Sequence, residues 1–221
     1  MTLPSKIPVL ANSSIASYSF DEVRDGLGYV TFYVSQDDAG PWLSTEQNRS
    51  KTNEHNYNDI TYVVGGGAWE LSGSHTIHFS GSSFILPRTV TGEATVEGWW
   101  QATRASGAGA GSVLLELAIT KNAVDIGATS GSSLSGINAT GTYISGGIFR
   151  NITLTETHFA RGDVIGLRMT QWGTGTTTPF TADSFIGTDP VDRDATIIKP
   201  STNANATTIL KVTVPVRIDI Q

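Results

Sequence analysis

The chain reads as an all-β protein, an antiparallel β-sandwich or jelly roll with an extended N-terminal arm. Three observations predict this. Apolar and polar residues alternate at period two through most of the sequence, and no long window carries the i, i+3, i+4, i+7 spacing of an amphipathic helix. Clusters of Gly, Ser and Thr punctuate the alternating runs, as the turns of a sandwich require. The 221 residues are 38% hydrophobic and only 15% charged, too apolar and too weakly charged for a disordered chain.

Taken in order, residues 1–16 lack periodicity and carry two spaced prolines, Pro4 and Pro8, which predicts an arm lying outside the sandwich. The apolar run Ile7 to Ala11 is short and broken by Pro8, so neither a secretory leader nor a membrane span is expected there. Residues 17–221 are expected to form one domain, since no charged or Pro-rich linker divides them. The clearest strand is the last: Leu210, Val212, Val214, Val216, Ile218 and Ile220 alternate with polar residues and Pro215. Pro215 lacks a ladder donor, so an edge position or a bulge is expected at it. Val113 to Ile119 and Asp163 to Thr170 follow the same pattern. Weaker strands are expected at Tyr29–Val34, Ile60–Val64, Ala68–Leu71, His75–Phe79, Ala94–Ala102, Thr142–Thr155 and Ala195–Ile198. Loops are expected at residues 35–58, Gly65–Gly67, Gly107–Gly111, Ser130–Gly136 and Gly173–Gly175.

The composition also limits the chemistry. A net charge of −6 without clustered Lys and Arg argues against nucleic-acid binding. Cysteine is absent, which excludes disulfides, thiolate nucleophiles and cysteine zinc sites. His75 and His78 fall on opposite faces of a strand, so they do not ligate one metal together. Asp183, Asp189, Asp192 and Asp194 lack the spacing of a dedicated calcium loop and read as a solvated acidic loop. Glu93 and Glu97 share a face, but four extended residues hold them about 13 Å apart, too far for a glycosidase pair. Glu97 and Trp99 share that face too, and Trp100 points into the core; this acid–aromatic neighbourhood reads first as surface packing and second as a sugar contact. No nucleophile elbow or phosphate-binding loop occurs. Arg161-Gly162-Asp163 reads as a turn, with Gly giving the bend and Asp a local backbone hydrogen bond. The Asn-x-Ser/Thr sequons at Asn12, Asn48, Asn138, Asn151 and Asn205 read as coincidence in a chain so rich in Ser and Thr. From these residues the expectation is no enzyme, no cofactor, no metal, no nucleic acid and no membrane.

Tyr18 to Tyr33, where an aromatic–acid stretch passes through Gly26-Leu27-Gly28 into an aromatic strand, resembles the opening of small virion proteins of tailed bacteriophages. Phe159 to Leu167 and Thr208 to Ile218 are similar to the late Gly-Asp turn and returning last strand of jelly-roll proteins of that type, including the trimeric C1q/TNF-like fold. The resemblance implies a capsid decoration (cement) protein or a tail or fibre component. It further implies the major capsid protein as partner, a homotrimer, and a place on the capsid surface after assembly in the host cytoplasm. The apolar arm residues Leu3, Pro4, Ile7, Pro8, Val9 and Leu10 are the expected contacts. The competing expectation is a carbohydrate- or receptor-binding module whose aromatics Trp42, Tyr57, Trp69 and Trp172 stack on sugars from loops.

Overall fold

Alternation along a strand becomes two-sidedness in a sheet, and the computed structural model shows where each side goes. The structure describes residues 27–37, 40–45, 57–64, 76–175, 180–187 and 210–218. Among them there are eleven strands and no helix: β1 (Leu27–Asp37), β2 (Gly40–Ser44), β3 (Tyr57–Val64), β4 (Thr76–Ser83), β5 (Arg88–Gly107), β6 (Gly111–Lys121), β7 (Val124–Ile137), β8 (Ile144–Phe159), β9 (Val164–Gly175), β10 (Phe180–Gly187) and β11 (Lys211–Ile218). All-β architecture is therefore as expected.

The strands form one sheet in the order β3-β10-β5-β11-β1-β2-β4-β9-β6-β7, with β8 added on β5. The 20-residue β5 organises it. One edge of β5 pairs β8 along nearly its whole length; the other pairs β11 through its first half and β10 through its second. The sheet curls until β7 meets β8 without a ladder between them. Instead, Arg150 Nε donates to the Gly131 carbonyl at 2.5 Å and Ser132 Oγ to the Gly147 carbonyl at 3.2 Å. Gly127 makes this approach possible, because a Cβ there would stand 2.5 Å from the Thr153 carbonyl oxygen.

The core lies inside the curl. Leu210, Val212, Val214 and Val216 of the last alternating run are all buried, as are Val113, Leu115, Leu117 and Ile119 on β6 and Trp100 on β5. Each such side chain contributes roughly 1.5–3 kcal/mol by leaving water. Pro215 resolves as a bulge. β11 is central, between β1 and β5, and its register with β5 shifts between Thr213 and Val216. Opposite it, Gly92 takes a φ of 95°, and its Cβ position lies 3.5 Å from the Pro215 ring.

Several expectations need correction. The sheet is mixed rather than purely antiparallel, since β2 and β4 run parallel where Trp42 faces Ser80. Ser130–Gly136 lies inside β7 and Gly173–Gly175 inside β9, and the expected loop 35–58 contains β2. β7 hides from a period-two reading because its register with β6 shifts repeatedly, and each shift resets the alternation. β10 includes Asp183, so the expected acidic loop does not begin there. The arm 1–16 and the strands expected at Ala68–Leu71 and Ala195–Ile198 lie outside the described residues, as do Asp189, Asp192 and Asp194.

Candidate functional site

Three connections meet at one end of the sheet: the β4–β5 loop, the β6–β7 hairpin and the β8–β9 turn. The hairpin turns on Asn122 and Ala123, with φ of 48° and 66°, the left-handed pair a two-residue hairpin demands. Asn122 suits the position and also ties the hairpin to its neighbour. Its Nδ2 donates to Asp163 Oδ1 at 2.7 Å, and its Oδ1 accepts from the Val164 N–H at 2.8 Å. Asp163 Oδ2 accepts from the Ala160 N–H at 2.8 Å and pairs with Lys121 Nζ at 2.9 Å. The Asp163 carbonyl accepts from the Phe84 N–H and the Phe84 carbonyl from the Gly162 N–H, each at 2.9 Å. One aspartate thus staples all three connections. The Asn122 amide first, then Lys121 and the Ala160 N–H, hold its carboxyl at about 2, below the usual 3.8. Arg161-Gly162-Asp163 is accordingly the turn its sequence suggests, with Gly162 at a φ of 96°.

This stapled end presents apolar side chains to solvent. Ile85 is 73% exposed, Leu86 56% and Val124 69%. Beneath them the Phe84 ring meets Phe159 edge-on at 5.2 Å. The Arg88 guanidinium lies 5.1 Å over Phe84, and Lys121 Nζ lies 5.5 Å over Phe159. The chain also enters β1 here: Leu27 faces Arg217, Arg217 faces Thr89, and the neighbouring Arg88 faces Phe159. Hydrogen bonds and an ion pair to Asp163 tie together the connections that carry or adjoin these three exposed side chains. The sequence signal for this tip was the run Phe84-Ile85-Leu86-Pro87, apolar yet outside any alternating strand.

The aromatics expected to stack on sugars from loops are placed otherwise. Trp42 lies on β2 and Trp172 on β9; both are half-buried, and their indole N–H groups are shut off from water. From Trp42 the ladder runs through Ser80 to Gly166, six residues before Trp172, so the two stand roughly 20 Å apart. Tyr57 opens β3, and its side chain, like all of Trp69, lies outside the described residues. Leu3, Pro4, Ile7, Pro8, Val9 and Leu10 lie outside them too. His78 is exposed on β4 and His75 is not described. Trp100 is fully buried and Trp99 half-exposed, as their opposite faces demand. Glu97 is engaged by Lys211 at 3.0 Å, whereas Glu93 is exposed.

No protein-family model matches this chain, and neither does any curated protein. Solved structures do. An α-amino acid ester hydrolase is similar over 84% of this chain with a TM-score of 0.50 and 10% identity. An aminopeptidase from a marine sediment Thaumarchaeota archaeon covers 87% with a TM-score of 0.45 and 10% identity. The chain spans only 36% and 37% of those two hydrolase chains. Viral capsid proteins are also among the matches: the VP2 subviral particle of infectious bursal disease virus covers 86% of this chain and 51% of its own, with a TM-score of 0.29 and 11% identity. The expectation of no enzyme is corrected by the first of these findings, because the fold of the described residues is one that a hydrolase chain contains.

Proposed function

We propose that this protein is a structural protein of a viral particle, docking on neighbouring subunits through the tip formed by Ile85, Leu86 and Val124. The observation that carries the reading is the tip itself: Ile85 and Leu86 on the β4–β5 loop and Val124 at the start of β7, all exposed, beside connections tied together by Asp163. Two of the segments that resemble virion proteins, the entry to β1 and the Gly-Asp turn before β9, belong to this same end. In its finer form the protein is a capsid decoration (cement) protein: it binds the major capsid protein as a trimer and bridges adjacent subunits. The arm residues Leu3, Pro4, Ile7, Pro8, Val9 and Leu10 then add to the contact the tip begins. Mass spectrometry of purified particles tests this first: shell-like copy numbers indicate a capsid protein and a handful indicate a tail component, while absence overturns the proposal. Shells stripped of the protein should then co-sediment with it, and the double variant Ile85→Asp/Leu86→Asp should bind at least about tenfold more weakly, the least expected when two apolar anchors of an interface are replaced by charges. Equal binding by the variant would remove the tip from the interface.

A second reading has its own support. The likeness to the α-amino acid ester hydrolase spans 84% of this chain but 36% of that one, which fits a β domain that accompanies a hydrolase. Turnover of an α-amino acid ester by the purified chain, or its copurification with a hydrolase chain, would move the assignment here.

A further inference from the structure

We propose that the outer face of β8, β5, β11 and β1 is a binding site for an uncharged glycan, with Trp99 and Phe149 as its stacking surfaces. This inference is independent of the virion reading, since it concerns another face and another ligand. The register places two continuous rows across the four strands. In the first, Phe149 faces Glu97, Glu97 faces Lys211 and Lys211 faces Tyr33. In the second, Asn151 faces Thr95, Thr95 faces Thr213 and Thr213 faces Thr31. Trp99 stands beyond the first row, opposite Gly147, and its ring lies over that glycine, 3.5 Å from where a Cβ would be. Residues directly opposite in a ladder share a face, and so do residues two apart on a strand, so Trp99 and Phe149 are diagonal neighbours on one surface.

The chemistry of this surface selects its ligand. Phe149 is 64% exposed on a central stretch of strand, where burial of aromatic surface is the rule and solvent contact needs a reason. Beside the two rings lies the second row, hydroxyls and an amide already aligned by one another: Thr95 Oγ1 donates to Asn151 Oδ1 at 3.2 Å, and the Thr31 and Thr213 hydroxyls lie 3.1 Å apart. Each hydroxyl keeps acceptor capacity, and the Asn151 amide keeps its two donors. Apolar faces next to a line of neutral donors and acceptors match a pyranose, which carries C–H faces and equatorial hydroxyls. Charge complementarity points the same way. Glu97 and Lys211 neutralise each other at 3.0 Å, so the row offers no net charge to a phosphate or an acidic peptide.

The test is a screen of the full-length protein on an array of neutral glycans, with hits confirmed by tryptophan fluorescence and titration calorimetry. We expect binding of at least one neutral oligosaccharide, with fluorescence changing as the ligand covers Trp99. Phe149→Ala should weaken that binding at least about tenfold while the melting temperature stays put, because the ring is outside the core. Trp42→Ala and Trp172→Ala should leave affinity unchanged, and added salt should matter little. An array without a neutral hit, or binding untouched by Phe149→Ala, overturns the proposal. Virion assembly could fail its own test without changing either result.

Discussion

The two outer faces of the curled sheet handle polarity in opposite ways. On β4, β9, β6 and β7, Arg168 organises an ionic cluster: its Nη2 reaches Asp125 Oδ2 at 2.6 Å and Glu116 Oε1 at 3.0 Å, and its Nη1 donates to Thr170 Oγ1 at 2.7 Å. Asp125 first, and then Glu116, stabilise the guanidinium and raise its already high pKa. Across the molecule, Trp99, Phe149, Asn151 and the threonine row carry one neutralised charge pair and an exposed ring. The first face uses its polar groups on itself, which holds hairpin β6–β7 against β9. The second leaves aromatic and hydroxyl groups open to solvent. The faces therefore differ in what they present: charges engaged with one another on the first, an exposed ring beside a neutral hydroxyl row on the second.

The largest perturbation of both faces comes from beneath them. Trp100 is fully buried under the aromatic face, and Trp100→Ala should cost about 3–5 kcal/mol by leaving a cavity. Both faces should then be lost in a single chemical-denaturation transition; loss of one alone would mean that the halves fold separately. Gly127→Val strikes where the halves meet. Its side chain must displace the Thr153 carbonyl, so a loss of roughly 1–3 kcal/mol is expected in the same measurement. Arg168→Met tests the ionic face alone. About 1 kcal/mol should be lost at low salt and less in molar salt, since salt screens ion pairs that solvent partly reaches.

The tip gives a pH-dependent contrast. The Asp163 carboxyl sits at about 2, below its usual 3.8, so the charged form is the one the fold favours. Its stabilising contribution is complete above the usual value and is lost as pH falls through about 2. Asp163→Asn should melt earlier than the parent near neutral pH, and the gap should close in acid. A gap of constant size across that range would mean that the hydrogen bonds, not the charge, hold the loops. The smallest effect belongs to Phe149→Ala, whose stability should stay within about 0.5 kcal/mol of the parent while glycan affinity falls.

Much of the fold was legible in the residues. The alternation from Leu210 onward marks β11 with its buried face, and Trp99 and Trp100 divide between solvent and core as neighbours on a strand must. Of the two outcomes expected at Pro215, an edge or a bulge, the bulge is the one that occurs. Less legible were β2, β7 and β10. The Ser- and Gly-rich β7 has the composition of a loop, and its shifts of register against β6 erase the periodic signal. Of the aromatics expected on loops, Trp42 and Trp172 are half-buried on strands.

What this chain settles by itself is local: which side of each regular strand faces apolar neighbours, that Arg161-Gly162-Asp163 makes a turn, and that no thiol chemistry is present. Alternation within one strand is enough for these. Only the tertiary structure brings Phe149 beside Trp99 from positions fifty residues apart, pairs Glu97 with Lys211, and gathers Ile85, Leu86 and Val124 around Asp163. Such neighbourhoods arise from register between distant strands, and register is set by how the whole sheet curls to close its core.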